Sequence, residues 1–380
     1  MQTVLRFANG RVSAILERFG SAESIYNAGL EELKASRFFT AAELKRLSDK
    51  DLSKAEEYIK YCKENSVEVI TRESSMFPDC LINIPDAPLV LYCKGKMPDF
   101  NSEPSVCIVG PRKCSNFGLK AAYSLSARLA RGGIVIVSGG AVGVDAAAHR
   151  GALSENAPTV ALLACGFGHE YLKENENLRE DIIHCGCLLT EFPPHHPVTQ
   201  GAFQIRNRLM SALSLGTVVI EAGEHSGPLI TAKHAAEQGK DVFVIPGSPA
   251  DPQYAGSNLL LRDGAKPLLS AMDVFDEYIG LYYDKLDIEN LFSTPLKPFN
   301  SSVVKVAQEA PASVAKTEDI SGVSDIAKAF YNATPDCEFC IDELTVFNDY
   351  NAAELISAVA ELELFGYVTA VPGGRYLRIK

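Results

Sequence analysis

Five glycine-bearing stretches hold most of the residues in this sequence whose types and spacing could do chemistry. They are Gly110-Pro111-Arg112-Lys113, Ser138-Gly139-Gly140-Ala141-Val142-Gly143-Val144-Asp145, Ala164-Cys165-Gly166-Phe167-Gly168, Glu221-Ala222-Gly223 running into Ser226-Gly227-Pro228-Leu229-Ile230-Thr231, and Pro246-Gly247-Ser248. Each follows a short apolar run. Glycine lets a backbone approach a ligand closely, and the unpaired N–H groups that open the next helix attract anions. One such loop is explained by the sterics of a tight turn, whereas five meeting at one edge form a phosphate-sized cradle. Gly110, Gly139, Gly140, Gly143, Gly166, Ser226, Gly227 and Thr231 are the expected lining, with Arg112 and Lys113 as cations at a strand tip.

Arg206-Asn207-Arg208 supplies two more cations, near the start of a helix predicted over 203–215, where the helix dipole disfavours positive charge. That placement calls for a compensating anion. Glu191, Glu221 and a bound phosphate are the candidates, and a structural salt bridge and a ligand account equally well for Arg206 and Arg208.

The spacing excludes several common chemistries. No GxGxxG follows the first core strand, no GxxxxGK[ST] occurs and no serine stands in GxSxG, which removes the dinucleotide fingerprint, the P-loop and the hydrolase elbow. Asp145 and His149, four apart, are expected to favour a helix start and to pack beneath the loops rather than to transfer protons. His195-His196 sit between prolines in EFPPHHP, a rigid exposed loop, without carboxylates at ligand spacing. Cys337 and Cys340 form a CxxC with no further cysteine or histidine nearby to close a four-ligand zinc site. No catalytic residue, metal or cofactor is expected.

The elements that must position these loops come next. Short apolar runs at 106–109, 134–137, 159–163, 188–190, 217–220 and 242–245 alternate with helical stretches near 118–131, 144–154, 175–185, 203–215 and 229–238. That alternation, with strands apolar throughout, predicts a mainly parallel sheet covered on both faces, a Rossmann-like doubly wound α/β domain over 71–282. In such sheets ligands bind beyond the carboxyl ends of the strands, where the glycine loops fall. Residues 1–70 read as short helices, with Val12, Ile15, Leu16 and Phe19 at helical spacing before Gly20. Residues 283–323, with Pro295 and Pro298, lack steady periodicity and read as a linker. Residues 324–380 read as helices near 324–332, 341–346 and 351–365 and then two short strands around Pro372-Gly373-Gly374, a winged helix.

Composition agrees with a globular chain: 380 residues, 47% hydrophobic and 22% charged. Neither a secretory leader nor a bilayer-length apolar run is evident, so a cytoplasmic location is expected, with the ten cysteines reduced. A net charge of −12 argues against general coating of nucleic acid. Its distribution matters more, because residues 1–100 carry 14 basic and 15 acidic side chains, 101–280 carry 14 and 18, and 281–380 carry 8 and 15. The negative excess sits at the C-terminal end and leaves the middle free to gather cations in one patch.

The runs VCIVGPR, SGGAVGVDAAAHRGAL, LLTEFPP, FQIRNRLMSALS and VVIEAGEHSGPLITAKHAAEQGKDVFVIPGSPADPQYAGSNLLLRDGA resemble the DprA/Smf family over about residues 70–280. The helical N-terminus, SAM-like or helix-hairpin-helix-like, and the winged-helix end are similar to flanking domains of many members. The resemblance implies a protein that binds and protects single-stranded DNA and delivers it to the RecA recombinase during natural transformation or recombination. It also implies a homodimer without catalysis. By position, Arg112 matches the arginine of the family's G-S-R loop, Gly139, Gly143 and Asp145 its SG-x-x-x-G-[IV]-D loop, and Arg206, Asn207 and Arg208 its RNR element. Three departures stand out: Pro111 for the usual serine, Val142 for a commonly basic residue, and Ile205 where a basic residue often precedes RNR. The rival reading is a nucleotide-binding Rossmann-like enzyme resembling the nucleoside monophosphate phosphoribohydrolases, with Glu221 as its carboxylate, although no PGGxGT precedes a glutamate here.

Overall fold

A computed structural model gives the structure of residues 1–169 and 175–299, and beyond these of residues 304, 322–324, 326–328, 331, 339–340, 352–371 and 375–378. Two compact units emerge, Met1–Ala307 and Gln308–Lys380. In the first, strands β1 (Glu68–Thr71), β2 (Val90–Gly95), β3 (Ser105–Val109), β4 (Val135–Ser138), β5 (Thr159–Leu162), β6 (Cys187–Thr190), β7 (Gly216–Val219), β8 (Asp241–Val244) and β9 (Lys266–Pro267) build one sheet. Its order is β1-β2-β6-β5-β4-β3-β7-β8-β9. From β6 to β9 all neighbours are parallel, as the continuous apolar runs predict. Strands β1 and β2 add an antiparallel edge that the sequence reading did not anticipate.

Alternation along each strand sorts the core into two layers. Val106, Ile108, Ile136 and Val218 face α8 (Asn116–Arg131), α9 (Val144–Ser154) and α10 (Glu176–Cys185), whereas Cys107, Val109, Val137 and Val219 face α11 (Gln200–Ala212) and α12 (Gly227–Glu237). The chain lays β3, β4, β5 and β6 in one direction, then returns through α11 to place β7 on the other side of β3. The crevice at the carboxyl ends of β3 and β7 is therefore the topological switch point.

The N-terminal segment forms short helices in the same compact unit, α1 (Gln2–Leu5), α2 (Val12–Phe19), α3 (Ala22–Asn27), α4 (Leu30–Ala35), α5 (Ala41–Asp49) and α6 (Ser53–Glu64), and α7 (Asp79–Ile82) lies between β1 and β2. Val12 and Ile15 are buried, Gly20 ends α2 at φ 84°, and Thr40 with Glu43 makes a capping box for α5. Arg11 pairs with Glu43 at 2.6 Å. Gln2 ties this segment to the sheet, its Nε2 donating to the Glu191 carbonyl at 2.5 Å.

Residues 283–299, read from the sequence as the start of the linker, lie against α8 and α9. The Asp287 N–H donates to the Gly132 carbonyl, Arg131 donates to the Thr294 carbonyl at 2.6 Å, and the Phe299 ring sits 4.7 Å from that of Tyr123. Leu286 and Leu291 are buried in the core beside these contacts, but two leucines on a short stretch give no sustained periodic pattern, so none was visible.

The second unit contains a helix (Ala352–Leu364) followed by the hairpin of β11 (Val368–Val371) and β12 (Arg375–Arg378), with β10 (Phe339–Cys340) on the free side of β12. Ala327, Tyr331, Val359, Leu362 and Val368 are its core. Cys337, the helix expected near 341–346 and Pro372-Gly373-Gly374 lie outside the described residues.

Candidate functional site

The loops after β3, β4 and β7 meet over the switch point and, with one face of α11, enclose a cavity of about 350 Å³. Contact between the first two loops depends on glycine. Gly143 has φ 83°, and a Cβ there would lie 2.6 Å from the carbonyl oxygens of both Pro111 and Arg112. A Cβ on Gly110 would meet Val144 at 2.5 Å. The two loops are thereby pressed flat, and Arg112 stands exposed at the mouth with its Cζ 5.0 Å from the Phe203 ring centroid.

On the opposite wall, Ser226 and Gly227 open α12. The Ser226 hydroxyl donates to the Gly223 carbonyl at 3.0 Å and makes no cap to the helix. The first turn of α12 therefore faces the cavity without a side-chain acceptor of its own, an arrangement that favours an anion. Thr231, one turn further, lines the same wall and is buried.

Helix α11 begins at Gln200 with Thr199 as its cap, the Thr199 hydroxyl accepting from the Ala202 N–H at 3.2 Å. Arg206 and Arg208 are thus well inside the helix, and the dipole argument for a compensating anion does not apply to them. Their partners decide their roles. Arg206 is buried, its Nη1 donating to the carbonyls of Gly139 at 2.7 Å and Leu162 at 2.5 Å and its Nε to Asn207 at 2.9 Å. Asp145 lies beside it. A Cβ on Gly139 would fall 2.4 Å from Arg206 Nη1 and 2.7 Å from Asp145 Oδ2, so that glycine makes room for the pair. Burial pushes the Asp145 carboxyl up, and the Arg206 charge and the Ala141 N–H pull it back. Arg206 still lines the cavity with Asn207, Phe203 and Met210, which share its helix face.

Arg208 is turned the other way. Its Nη2 donates to both oxygens of Glu191 at 2.7 Å, and its Nε lies 3.1 Å from an Asp86 oxygen. Of the two readings open for this residue, the structure contains the salt bridge to Glu191. Gly166 also lies outside the cavity; a Cβ there would meet the Pro193 carbonyl oxygen at 1.9 Å, so its glycine serves backbone contact with the Pro193-Pro194 loop. Lys113 is exposed beyond the cavity lining, and Gly140 (φ 67°) and Gly143 shape the β4 loop from behind.

The remaining candidate groups are engaged in the fold. Glu221 is fully buried at the start of α8, accepting from the Ser115 N–H at 3.0 Å, from the Ser115 hydroxyl and from the Tyr254 hydroxyl at 2.9 Å. His149 is buried with Nδ1 2.8 Å from the Thr159 hydroxyl, and burial depresses its pKa to about 3. Because that hydroxyl donates to the Ile136 carbonyl, it accepts from His149 Nδ1–H. His196 stacks on Phe192 at 4.6 Å and His195 sits edge-on to Tyr61 at 5.0 Å. Val142 is buried and Ile205 packs beside Phe192, while Pro111 lines the cavity. Met210 was missed from the sequence, although its spacing of seven from Phe203 puts both on one helical face.

A sequence profile described as DNA recombination-mediator protein A matches residues 68–279. The DNA processing protein DprA of Bacillus subtilis is 36% identical over 237 residues, which are 62% of this chain and 80% of that protein. Protein Smf of Escherichia coli is 30% identical over 315 residues, 82% of this chain and 77% of that protein. The X-ray structure of DprA from Streptococcus pneumoniae superposes with a TM-score of 0.64 at 31% identity, covering 72% of this chain and 96% of that one. A structure of DNA processing protein A from Helicobacter pylori, described for its single-stranded DNA binding mode, gives a TM-score of 0.51 at 30% identity, over 57% of this chain and 97% of that one.

Proposed function

The chain belongs to the DNA recombination-mediator protein A family of DNA-processing proteins, and we propose that it binds single-stranded DNA at the switch-point cavity and hands it to a RecA recombinase. The observation that carries this reading is the meeting of three loops and α11 on one cavity, where Arg112 and the first turn of α12 face each other across space for a phosphate. Phe203 lies beneath Arg112 and offers an aromatic face to a base. Backbone amides, one exposed guanidinium and one ring suit a flexible chain of phosphates better than a rigid duplex. The binding mode described for the Helicobacter pylori protein supports the same ligand.

The proposal includes action as a homodimer, in the cytoplasm and without catalysis. Engagement of both Glu221 oxygens by Ser115 and Tyr254 supports the non-enzymatic reading over nucleotide hydrolysis. The test is a fluorescence-anisotropy titration of the full chain with labelled single- and double-stranded oligonucleotides across a salt series. Single strands are expected to bind more tightly, and if about three phosphates are neutralised log affinity falls with log salt at a slope near −2, from about −0.7 per contact. Equal or tighter binding of duplex at matched salt removes the proposal. Acceleration of RecA filament assembly on the bound strand tests the delivery step, and release of a free base from a nucleoside monophosphate would restore the enzymatic reading.

A further inference from the structure

Beyond the cavity, the N-terminal turn Arg6-Phe7-Ala8 reaches the same edge of the sheet. Arg6 closes α1 at φ 62° and Ala8 has φ 49°, so two non-glycine residues occupy the left-handed region on either side of Phe7. L-residues with a Cβ enter that region uncommonly. Between the two, Phe7 is seated against the sheet edge. Its ring lies 4.7 Å from Phe192 and 5.1 Å from His196, in a cluster that includes Ala164, Ala202, Phe203 and Ile205.

Phe192 follows β6 and Ala164 follows β5, while the cavity stands over β4, β3 and β7. These strands are neighbours, in the order β6-β5-β4-β3-β7. From β6 to β3 is three strand spacings, about 15 Å. Phe203 joins the two places, since it lies under Arg112 in the cavity and also packs in the Phe7 cluster. The turn thus stands at the outer end of a track along the carboxyl edge.

Arg6 differs from its neighbours in what its charge does. Arg11 donates to Glu43 and to the Phe38 carbonyl, and Arg46 donates to the Val4 carbonyl at 2.7 Å. Arg6 is exposed, and its guanidinium makes no hydrogen bond or ion pair with the described residues. On a chain of net charge −12, an exposed cation fixed by a strained turn at this edge is a local attraction for a polyanion.

We infer that Arg6, anchored by Phe7, is a second phosphate contact that extends the path of single-stranded DNA from the switch-point cavity onto the N-terminal helical segment. The inference rests on the proposed DNA-binding reading of that cavity. It adds a cation outside the glycine loops and gives the N-terminal segment a direct part in ligand binding.

The test uses the full chain with labelled oligothymidylates of about 5 and about 20 nucleotides, the short one within the site size of a single-domain contact. Arg6→Gly removes the charge and suits the left-handed backbone, so its melting temperature stays at or above that of the wild type. Arg6→Gly is expected to weaken the long oligonucleotide about tenfold and to reduce its salt slope by about 0.7, with the short one unchanged and Arg6→Lys close to wild type. Arg112→Ala is expected to weaken both lengths. Unchanged affinity and slope for the long oligonucleotide in Arg6→Gly, with Arg112→Ala weakened, overturns the inference and leaves the cavity reading standing. Equal losses on both lengths in Arg6→Gly overturn the placement of Arg6 at the outer end. A wild-type chain that binds neither length removes both readings.

Discussion

Arg112→Ala isolates the cationic part of the cavity, because two thermodynamic consequences of the change separate. In the folded chain the guanidinium is exposed and its Cζ stands 5.0 Å from the Phe203 centroid. A cation over a ring at an exposed site contributes about 0.5–1 kcal/mol, so losing that ring contact costs up to about 1 kcal/mol. In a unit of this size that lowers the melting temperature by no more than about 2–4 °C. Affinity responds more strongly. A hydrogen bond to a charged group is worth about 1.5–3 kcal/mol, which is a rise in Kd of roughly ten- to 150-fold at fixed salt.

The salt dependence supplies an independent reading of the same change. Removing one phosphate contact reduces the slope of log affinity against log salt by about 0.7. Arg112→Lys keeps the charge and loses the planar fork, so it retains the slope and recovers only part of the affinity. Anisotropy titrations at four or so salt concentrations, with melting followed by circular dichroism, measure all three quantities. Wild-type affinity and slope in an Arg112→Ala chain that melts like the wild type would refute the assignment of Arg112 to the ligand.

Gly143→Ala puts a Cβ 2.6 Å from two carbonyl oxygens at φ 83°. It should cost about 1–3 kcal/mol and also weaken DNA binding by shifting Arg112; denaturant unfolding that matches the wild type contradicts the packing argument. Arg208→Ala leaves Glu191 buried without the guanidinium that binds both its oxygens, so a loss of about 3–5 kcal/mol is expected in urea unfolding, with little change in DNA affinity per folded molecule. His149 has a folded pKa of about 3, below its unfolded value, so its contribution is complete above pH 6.5 and is lost as pH falls toward 3. By pH 5 the loss is about 2 kcal/mol, and His149→Gln should flatten that part of the stability profile; equal pH slopes in the two chains exclude His149 as the source. Residues 336–380 carry three basic and eight acidic side chains, a field that repels duplex DNA, so deleting 308–380 should change single-strand affinity by no more than a few-fold. A larger loss in gel-shift assays would give the second unit a place in DNA binding.

Local sequence determined the alternation of strands and helices, the parallel sheet and the loops that ring its carboxyl edge. These follow from nearest-neighbour chemistry: short β-branched apolar runs such as Val106–Val109, bounded by glycine and proline, favour strands covered on both faces, and Gly143 permits a backbone conformation that other residues resist. Thr199, as the cap that starts α11, was also visible in principle, and with it the fact that Arg206 lies away from the helix end. Tertiary structure decided the rest. Arg206 and Arg208 are two residues apart with the same side chain, yet one turns to the carbonyls of Gly139 and Leu162 beside the cavity and the other to Glu191 and Asp86 behind it. Glycine at 166 is required by the carbonyls of Pro193 and Pro194, the strap at 283–299 is held by Gly132, Arg131 and Tyr123, and Phe7 enters a cluster of residues distant in sequence. In each case the partner lies far along the chain. Periodicity and local motif carry no record of such a partner, because which distant group meets a side chain is set by the order and twist of the sheet.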